Sequence, residues 1–242
     1  MELVLDMLLA FLHGLAAPFN PVMILLWGVA AAFVLGSLVK ESMQDFPQVV
    51  RRQNVMVVAI VFSFSFVIGV AFKAIAVSDG AQNLNMISPG TLTIANIIGG
   101  LILLAWAIWL YMPFRLEEED STDDWPKLAY PALLGGLGLA SLWAPGVGAY
   151  IQDTIAAMHT QLDVRRGAFL LLFYGFGIVA VWYTALALAW AKFLPRTLEG
   201  ESKLIRTSSI ILAVGGFLGL FGFFGWLNAA LAKSAGFLNI FG

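Results

Sequence analysis

The chain has 242 residues, 60% of them hydrophobic and 12% charged, with a net charge of −2 and no cysteine, and its mean hydropathy is +0.89. Roughly 25% of an average soluble domain is charged, so the composition reads as an integral membrane protein whose first partner is the lipid bilayer. The near-neutral charge gives no basic field for nucleic acid, and the missing thiols exclude disulfides, thiolate metal sites and thiol catalysis by this chain itself.

At the start, Glu2 and Asp6 stand where a cleaved signal peptide would carry Lys or Arg, so Leu15-Ala16-Ala17 does not read as a cleavage site. The first residues read instead as an interfacial or helical lead-in. Apolar runs of about 20 residues are long enough to cross a hydrocarbon core of about 30 Å. Six such runs occur, at about 10–38, 54–77, 91–113, 129–157, 167–193 and 207–232. The first and fourth are over-long and interrupted, by Ala17-Pro18-Phe19-Asn20-Pro21 and by Leu142-Trp143-Ala144-Pro145-Gly146-Val147-Gly148-Ala149. Proline lacks a backbone N–H, and the groups it frees must be satisfied by something other than lipid. Two such breaks in corresponding positions of two half-chains point to a central site. Its candidate residues are Pro18, Phe19, Asn20, Pro21, Pro145, Gly146, Gly148, Gln152 and Asp153.

Lys and Arg in short loops set orientation. Lys40, Arg51, Arg52, Arg115, Lys127, Lys192, Arg196, Lys203 and Arg206 follow the odd-numbered spans, against Lys73, Arg165, Arg166 and Lys233 on the other side. Nine against four predicts both termini on the non-cytoplasmic side. Glu117, Glu118, Glu119, Asp120, Asp123 and Asp124 form a solvated acidic hinge. It divides the chain into a three-helix half at 1–113, the hinge at 114–128 and a second half at 129–242. Three spans per half reverse the second half relative to the first. The fold predicted is therefore all-α, a polytopic membrane protein of six transmembrane helices in two inverted repeats with helices 1 and 4 broken. Gly99 and Gly100 in the third span correspond to Gly215 and Gly216 in the sixth, where small residues let helices approach closely.

Other polar residues carry bland readings beside functional ones. Asp153 and Gln152 follow the second break; an intramembrane acid marks function, whereas the same group at the membrane rim is simply solvated. Asn20 and Asn96 suit a polar clasp on freed backbone groups or on one another. His13 and His159 are far apart with no ligand at i+4, and the eight methionines show no repeated short spacing. Trp27, Trp109, Tyr111 and Trp190 fall near span ends and read as interfacial anchors. No catalytic, metal or cofactor-binding residue is assigned, and no cofactor is expected.

The order of these features resembles the CcdA family, the membrane thiol-disulfide electron carriers related to the central domain of DsbD. Pro18-Phe19-Asn20-Pro21 is similar to the family's proline-flanked break, and Phe62-Ser63-Phe64-Ser65-Phe66-Val67-Ile68-Gly69 to its second-helix run. Trp143-Ala144-Pro145-Gly146-Val147-Gly148-Ala149 resembles the family's Trp-Thr-Pro-Cys-Ile-Gly-Pro, and Leu172-Phe173-Tyr174-Gly175-Phe176-Gly177 its fifth helix. Both family cysteines are missing. Gly146 occupies the second position and Phe19 or Asn20 the first, because the proline spacing there is one residue shorter. The family's later prolines are absent at Ala149 and around Ala180-Val181. Exchange needs a thiolate attacking a disulfide sulfur, which this chain cannot supply.

The resemblance implies a bacterial inner-membrane protein that has kept the scaffold and lost the relay. The function expected is a non-redox accessory or structural subunit of a larger redox or cytochrome-maturation assembly, with membrane or periplasmic redox proteins as partners. The alternative is a transporter or facilitator passing a small solute or cation through the cavity between the breaks.

Overall fold

A computed structural model of the chain describes residues 2–19, 21–42, 58–72, 89–112, 125–142, 164–193 and 198–234. All of the regular structure among them is helical. In chain order the helices are α1 (Glu2–Ala16), a 3₁₀ turn (Ala17–Phe19), α2 (Pro21–Ser42), α3 (Val58–Phe72), α4 (Pro89–Tyr111), α5 (Trp125–Leu142), α6 (Val164–Phe193), α7 (Leu198–Leu220) and α8 (Phe223–Ser234).

Two of these helices, over Ile94–Tyr111 and Gly200–Leu220, are long and apolar enough to cross a membrane. The bent pair α1 and α2 makes a third if it is one broken span. Val58–Phe72, Ala132–Leu142 and Arg166–Trp182 are shorter apolar stretches. On α4 the inner face carries Gly99, Gly100, Leu103, Ala107 and Leu110, while Ile94, Ile98, Leu101 and Ile108 on the outer face are exposed. A helix apolar all round belongs either in a large core or in lipid. The outer faces of α1 (Leu5, Leu8, Leu12) and α7 (Ile210, Val214, Phe217) repeat the pattern.

Side-chain contacts fix the relative directions of the helices. Ser37 meets Trp106 and Lys40 meets Trp109, so α2 and α4 run parallel. Gly36 lies against Ser208 and Gly215 against Val29, which sets α7 antiparallel to α2. Phe62 stacks on Trp182 and Gly175 lies against Val67, setting α3 antiparallel to α6. Ser65 faces Ala132 and Gly69 faces Ala140, so α3 and α5 run parallel. Gly99 lies against Leu142 and Gly138 against Ile102, making α5 antiparallel to α4. Asp6 pairs with Arg166 and Gly14 meets Gly177, so α1 runs with α6. Thus α2, α4 and α6 run one way and α3, α5 and α7 the other, while α1 packs along α6 and lies at 81° to α2. Lys40, Tyr111 and Lys203 sit at one end of the bundle, and Asp6 and Arg166 at the other.

Two helix crossings bring glycine against glycine. A methyl group added at Gly100 would sit 2.7 Å from the Gly216 carbonyl oxygen, and one at Gly216 would sit 2.8 Å from that of Gly100. The contact is reciprocal. Ser209 Oγ donates to the Ala107 carbonyl at 2.8 Å two turns away, extending the α4–α7 seam. A second crossing joins α1 to α6, where a methyl on Gly14 would sit 3.0 Å from Gly177 Cα and one on Gly177 2.8 Å from Gly14 Cα.

Two differences from the sequence expectation concern helix ends. The apolar run expected as one span over 207–232 is interrupted at Phe221 and Gly222, where Gly222 takes φ 66°, a left-handed conformation that ends α7. Its N–H donates to the Gly219 carbonyl at 2.9 Å, and its own carbonyl accepts from Trp226 N at 3.0 Å as α8 begins. At the other end α7 starts nine residues before the apolar run, because Glu199, Glu201, Ser202 and Lys203 suit a helix though not a hydrocarbon core.

The close crossings predict a split among glycine variants. Gly100→Leu or Gly216→Leu overpacks backbone against backbone and should cost about 1–3 kcal/mol or more. Gly28→Ala enters open space on a helix and should be neutral or stabilising by up to about 1 kcal/mol. Thermal unfolding in detergent reads both. Equal melting temperatures for all three would show that α4 and α7 do not touch.

Candidate functional site: a cavity beside the helix breaks

The first break is a sharp bend: the helix axes on either side of it meet at 81°. Pro18 is buried in the turn, Phe19 points outward at 61% exposure, and Pro21 opens α2 from an exposed position. Proline suits that first helical position because its missing N–H would have no partner there in any case. Asn20, Pro145, Gly146, Gly148, Gln152 and Asp153 lie outside the described residues, as do the 143–149 break, the acidic 114–124 stretch and His159.

The start of α2, just after the first break, and the end of α5 meet at one small cavity. Met23, Leu26 and Trp27, on the first two turns of α2, form one wall, and Leu139, one turn before the end of α5, forms another. α3 supplies Phe62, Ser63 and Phe66, and α6 closes the space with Ile178, Val179 and Trp182. The second-helix run therefore splits as a helix must. Phe62 and Phe66, four residues apart, turn inward, and Phe64 turns out to 53% exposure. Among the described residues, those that line the cavity are uncharged.

Aromatic rings continue from the cavity to the Lys40 end. Trp27 meets Trp182 edge-on at 6.4 Å between centroids, and Trp182 stacks on Phe62 at 5.3 Å. Phe62 meets Phe33 at 5.6 Å, Phe33 stacks on Trp106 at 4.9 Å, and Trp106 meets Trp109 at 4.6 Å. These separations fall in the range where aromatic pairs contribute about 0.5–1.5 kcal/mol beyond area. Lys40 caps the series, its Nζ 4.3 Å from the Trp109 ring centre. The same ammonium donates to the Trp109 carbonyl and, at 3.2 Å, to that of Met112. A cation held at the carbonyl end of α4 answers both its unpaired acceptors and its dipole, which accounts for a lysine only 6% exposed.

One polar relay is complete within the ladder. Trp106 Nε1 donates to Ser37 Oγ at 2.7 Å, and Ser37 Oγ donates onward to the Phe33 carbonyl at 2.6 Å. Elsewhere, Trp27 Nε1 and Ser63 Oγ are buried and find no hydrogen-bond partner among the described residues.

Several sequence readings find other neighbours here. Trp27 and Trp109, read as interfacial anchors, belong to the internal ladder, while Tyr111 is 73% exposed at a helix end. Asn96 lies beside the α7–α8 turn, where a methyl on Gly222 would come within 3.1 Å of its Nδ2. His13 sits on α1, and no three His, Asp or Glu residues gather as a metal site among the described residues. Sequence reasoning missed Ser37 and Ser63, which no motif distinguishes from other helical serines. It could have placed Trp27, which follows a mid-span break by only six residues and so lies deep in the bundle.

Compared with protein-family models, curated proteins and solved structures, the chain matches none.

The Ser37 relay generates the test of this site. Ser37→Ala strands the Trp106 N–H among buried rings and should cost about 1–3 kcal/mol. Ser141→Ala serves as the comparison, a serine whose hydroxyl donates to the Gly138 carbonyl of its own helix at 2.6 Å. Melting temperatures that fall together would contradict the special standing of the Ser37–Trp106 pair.

Proposed function

We propose that the chain is a six-span, cysteine-free membrane protein resembling the CcdA family. It acts as a non-redox accessory or structural subunit of a larger redox or cytochrome-maturation assembly in the bacterial inner membrane. The observation that carries this reading is a matched pair of contacts. Gly14 of α1 lies against the Tyr174 carbonyl and Gly177 of α6, and Gly136 of α5 lies against the Phe62 carbonyl and Ser65 of α3. α1 and α5 precede the two breaks, and α3 and α6 are the helices between the break and the last span of each half. The same kind of approach therefore recurs in both halves, in the same parallel sense. Together with the reciprocal Gly100–Gly216 contact, it supports a pseudo-two-fold relation between 1–113 and 129–242. The alternating helix directions support six crossings.

A retained scaffold without thiols suits binding. The space between the break flanks holds aromatic and aliphatic side chains, and a subunit in an assembly needs a rigid, lipid-compatible body more than a path. Purification from native membranes in mild detergent tests this reading. The expected result is a stoichiometric complex containing a membrane or periplasmic redox protein. A lone chain in every mild detergent, with its melting transition intact, would overturn it.

The cavity at the start of α2 and the end of α5 favours a second reading, a transporter or facilitator for a small solute or cation. Flux in proteoliposomes above that of empty vesicles would support this reading, and no flux through folded protein would remove it.

A further inference from the structure

The exposed apolar stripe of α7 does not stop where the helix stops. Ile210, Val214 and Phe217 lie on its outer face at helical spacing, and Phe221 continues the line at 74% exposure, its ring 4.8 Å from that of Phe217. Beyond Gly222, the Phe223 ring meets Trp226 at 5.8 Å, and Trp226 is itself 65% exposed.

The register between α4 and α7 sets the height of this aromatic corner. Gly216 meets Gly100, Ser209 meets Ala107, and Gly222 stands beside Asn96. The apolar stretch of α4 begins at Ile94 and that of α7 ends at Leu220. Both helices therefore run out of membrane-compatible sequence at one level, the end of the bundle opposite Lys40. The left-handed backbone of Gly222 interrupts the helix at that level.

α8 then starts at the boundary and is too short to cross on its own. Its 12 residues, at a rise of roughly 1.5 Å each, make about 18 Å against a hydrocarbon core of about 30 Å. One face is held to the bundle: Phe224 is buried, and Phe223 and Leu227 pack against the core. Gly225 and Trp226 are exposed. Water around that side would wet a large indole and the neighbouring Phe221 ring, whereas hydrocarbon would leave the indole N–H unpaired. The layer between them suits both ends of a tryptophan, an apolar body with one hydrogen-bond donor.

We infer that Phe217, Phe221 and Trp226 form a docking surface for the bilayer interface, and that α8 lies along the headgroup layer instead of completing a sixth span that runs through 232. The partner is lipid at the boundary of acyl chains and headgroups, because the patch continues the exposed stripe of α7 and sits where the apolar stretches of α4 and α7 both end. The inference rests on α4 and α7 crossing the membrane. It is independent of whether the protein serves an assembly or passes a solute.

Depth measurement tests the surface in the cysteine-free full chain, reconstituted in phosphatidylcholine vesicles. Val214→Cys, Phe221→Cys, Gly225→Cys, Trp226→Cys and Ala230→Cys, made singly, each carry a nitroxide. Oxygen concentrates in hydrocarbon and a neutral nickel chelate in water, so the ratio of their collision rates with the probe reports depth. The ratio should fall severalfold from position 214 to 221 and then stay level through 225, 226 and 230. A ratio that keeps falling along α8 to the value of bulk water, or climbs back to that at 214, would overturn the inference. So would probes at 225 and 226 that neither reagent reaches, the result of a protein or a second copy on this face. Should Trp226→Cys fail to fold, Gly225→Cys decides, since a side chain there meets nothing within 4 Å. A water-like ratio at 214 would show that α7 does not cross, and the inference would fall with the span; a deep probe at 214 beside a wet one at 225 defeats the inference alone.

Discussion

The contact between Gly100 and Gly216 constrains the rest of the bundle. Each residue occupies the space where the other's side chain would stand, so α4 and α7 meet backbone to backbone. Helix association in lipid gains little from hiding apolar surface, because lipid tails are as apolar as leucine. It depends on close packing and on hydrogen bonds, which only small residues permit at short range. Once α4 and α7 touch here, α2 lies in their shared groove through Gly36 and Gly215, and Trp106 is held within reach of Ser37.

From that seam the aromatic series runs inward to the cavity. Phe33 carries it from Trp106 to Phe62, and Gly135 of α5 lies against the Phe33 ring, leaving no room for a side chain of its own. Lys40 fixes the outer end by capping α4, and the bend at Pro18 and Pro21 brings α2 to the inner end. The local chemistry of the first break and the packing of the last span thus act on one structure. A shift at either end must pass through stacked rings that are bulky and few in their allowed arrangements.

Much of the fold was legible in the sequence. Apolar run lengths located helices over 58–72, 89–111 and 164–193 to within a few residues, and the prolines at 18 and 21 marked the bend. The paired glycines at 99–100 and 215–216 were recognised as a close approach without knowledge of which residue met which. The interruption at Gly222 was not legible, because a glycine between phenylalanines in an apolar run also suits a continuous packed helix. The centre of the molecule was legible only as a region. Whether Trp27 faces lipid or a cavity, and whether Ser37 or Ser63 finds a partner, depends on helix rotation set by tertiary contacts far away in sequence. Lys40 counted toward orientation as a loop cation, yet its stem is buried and its ammonium serves α4. Gly146, Gln152 and Asp153 belong to a stretch outside the described residues, so their part in the site rests on sequence alone.

On the proposed topology, α4 and α7 meet glycine to glycine within a bundle whose outer faces are apolar. The absence of cysteine makes the crossing pattern directly measurable, since any introduced thiol is the only one present. Single cysteines at Leu3, Tyr111, Lys203 and Lys233, probed with a membrane-impermeant maleimide from each side, test it most directly. The proposed topology predicts that Tyr111→Cys and Lys203→Cys react only from the cytoplasmic side, and that Leu3→Cys and Lys233→Cys react only from the opposite side. Reaction of Tyr111→Cys and Lys203→Cys from different sides, or of all four from one side, would contradict it.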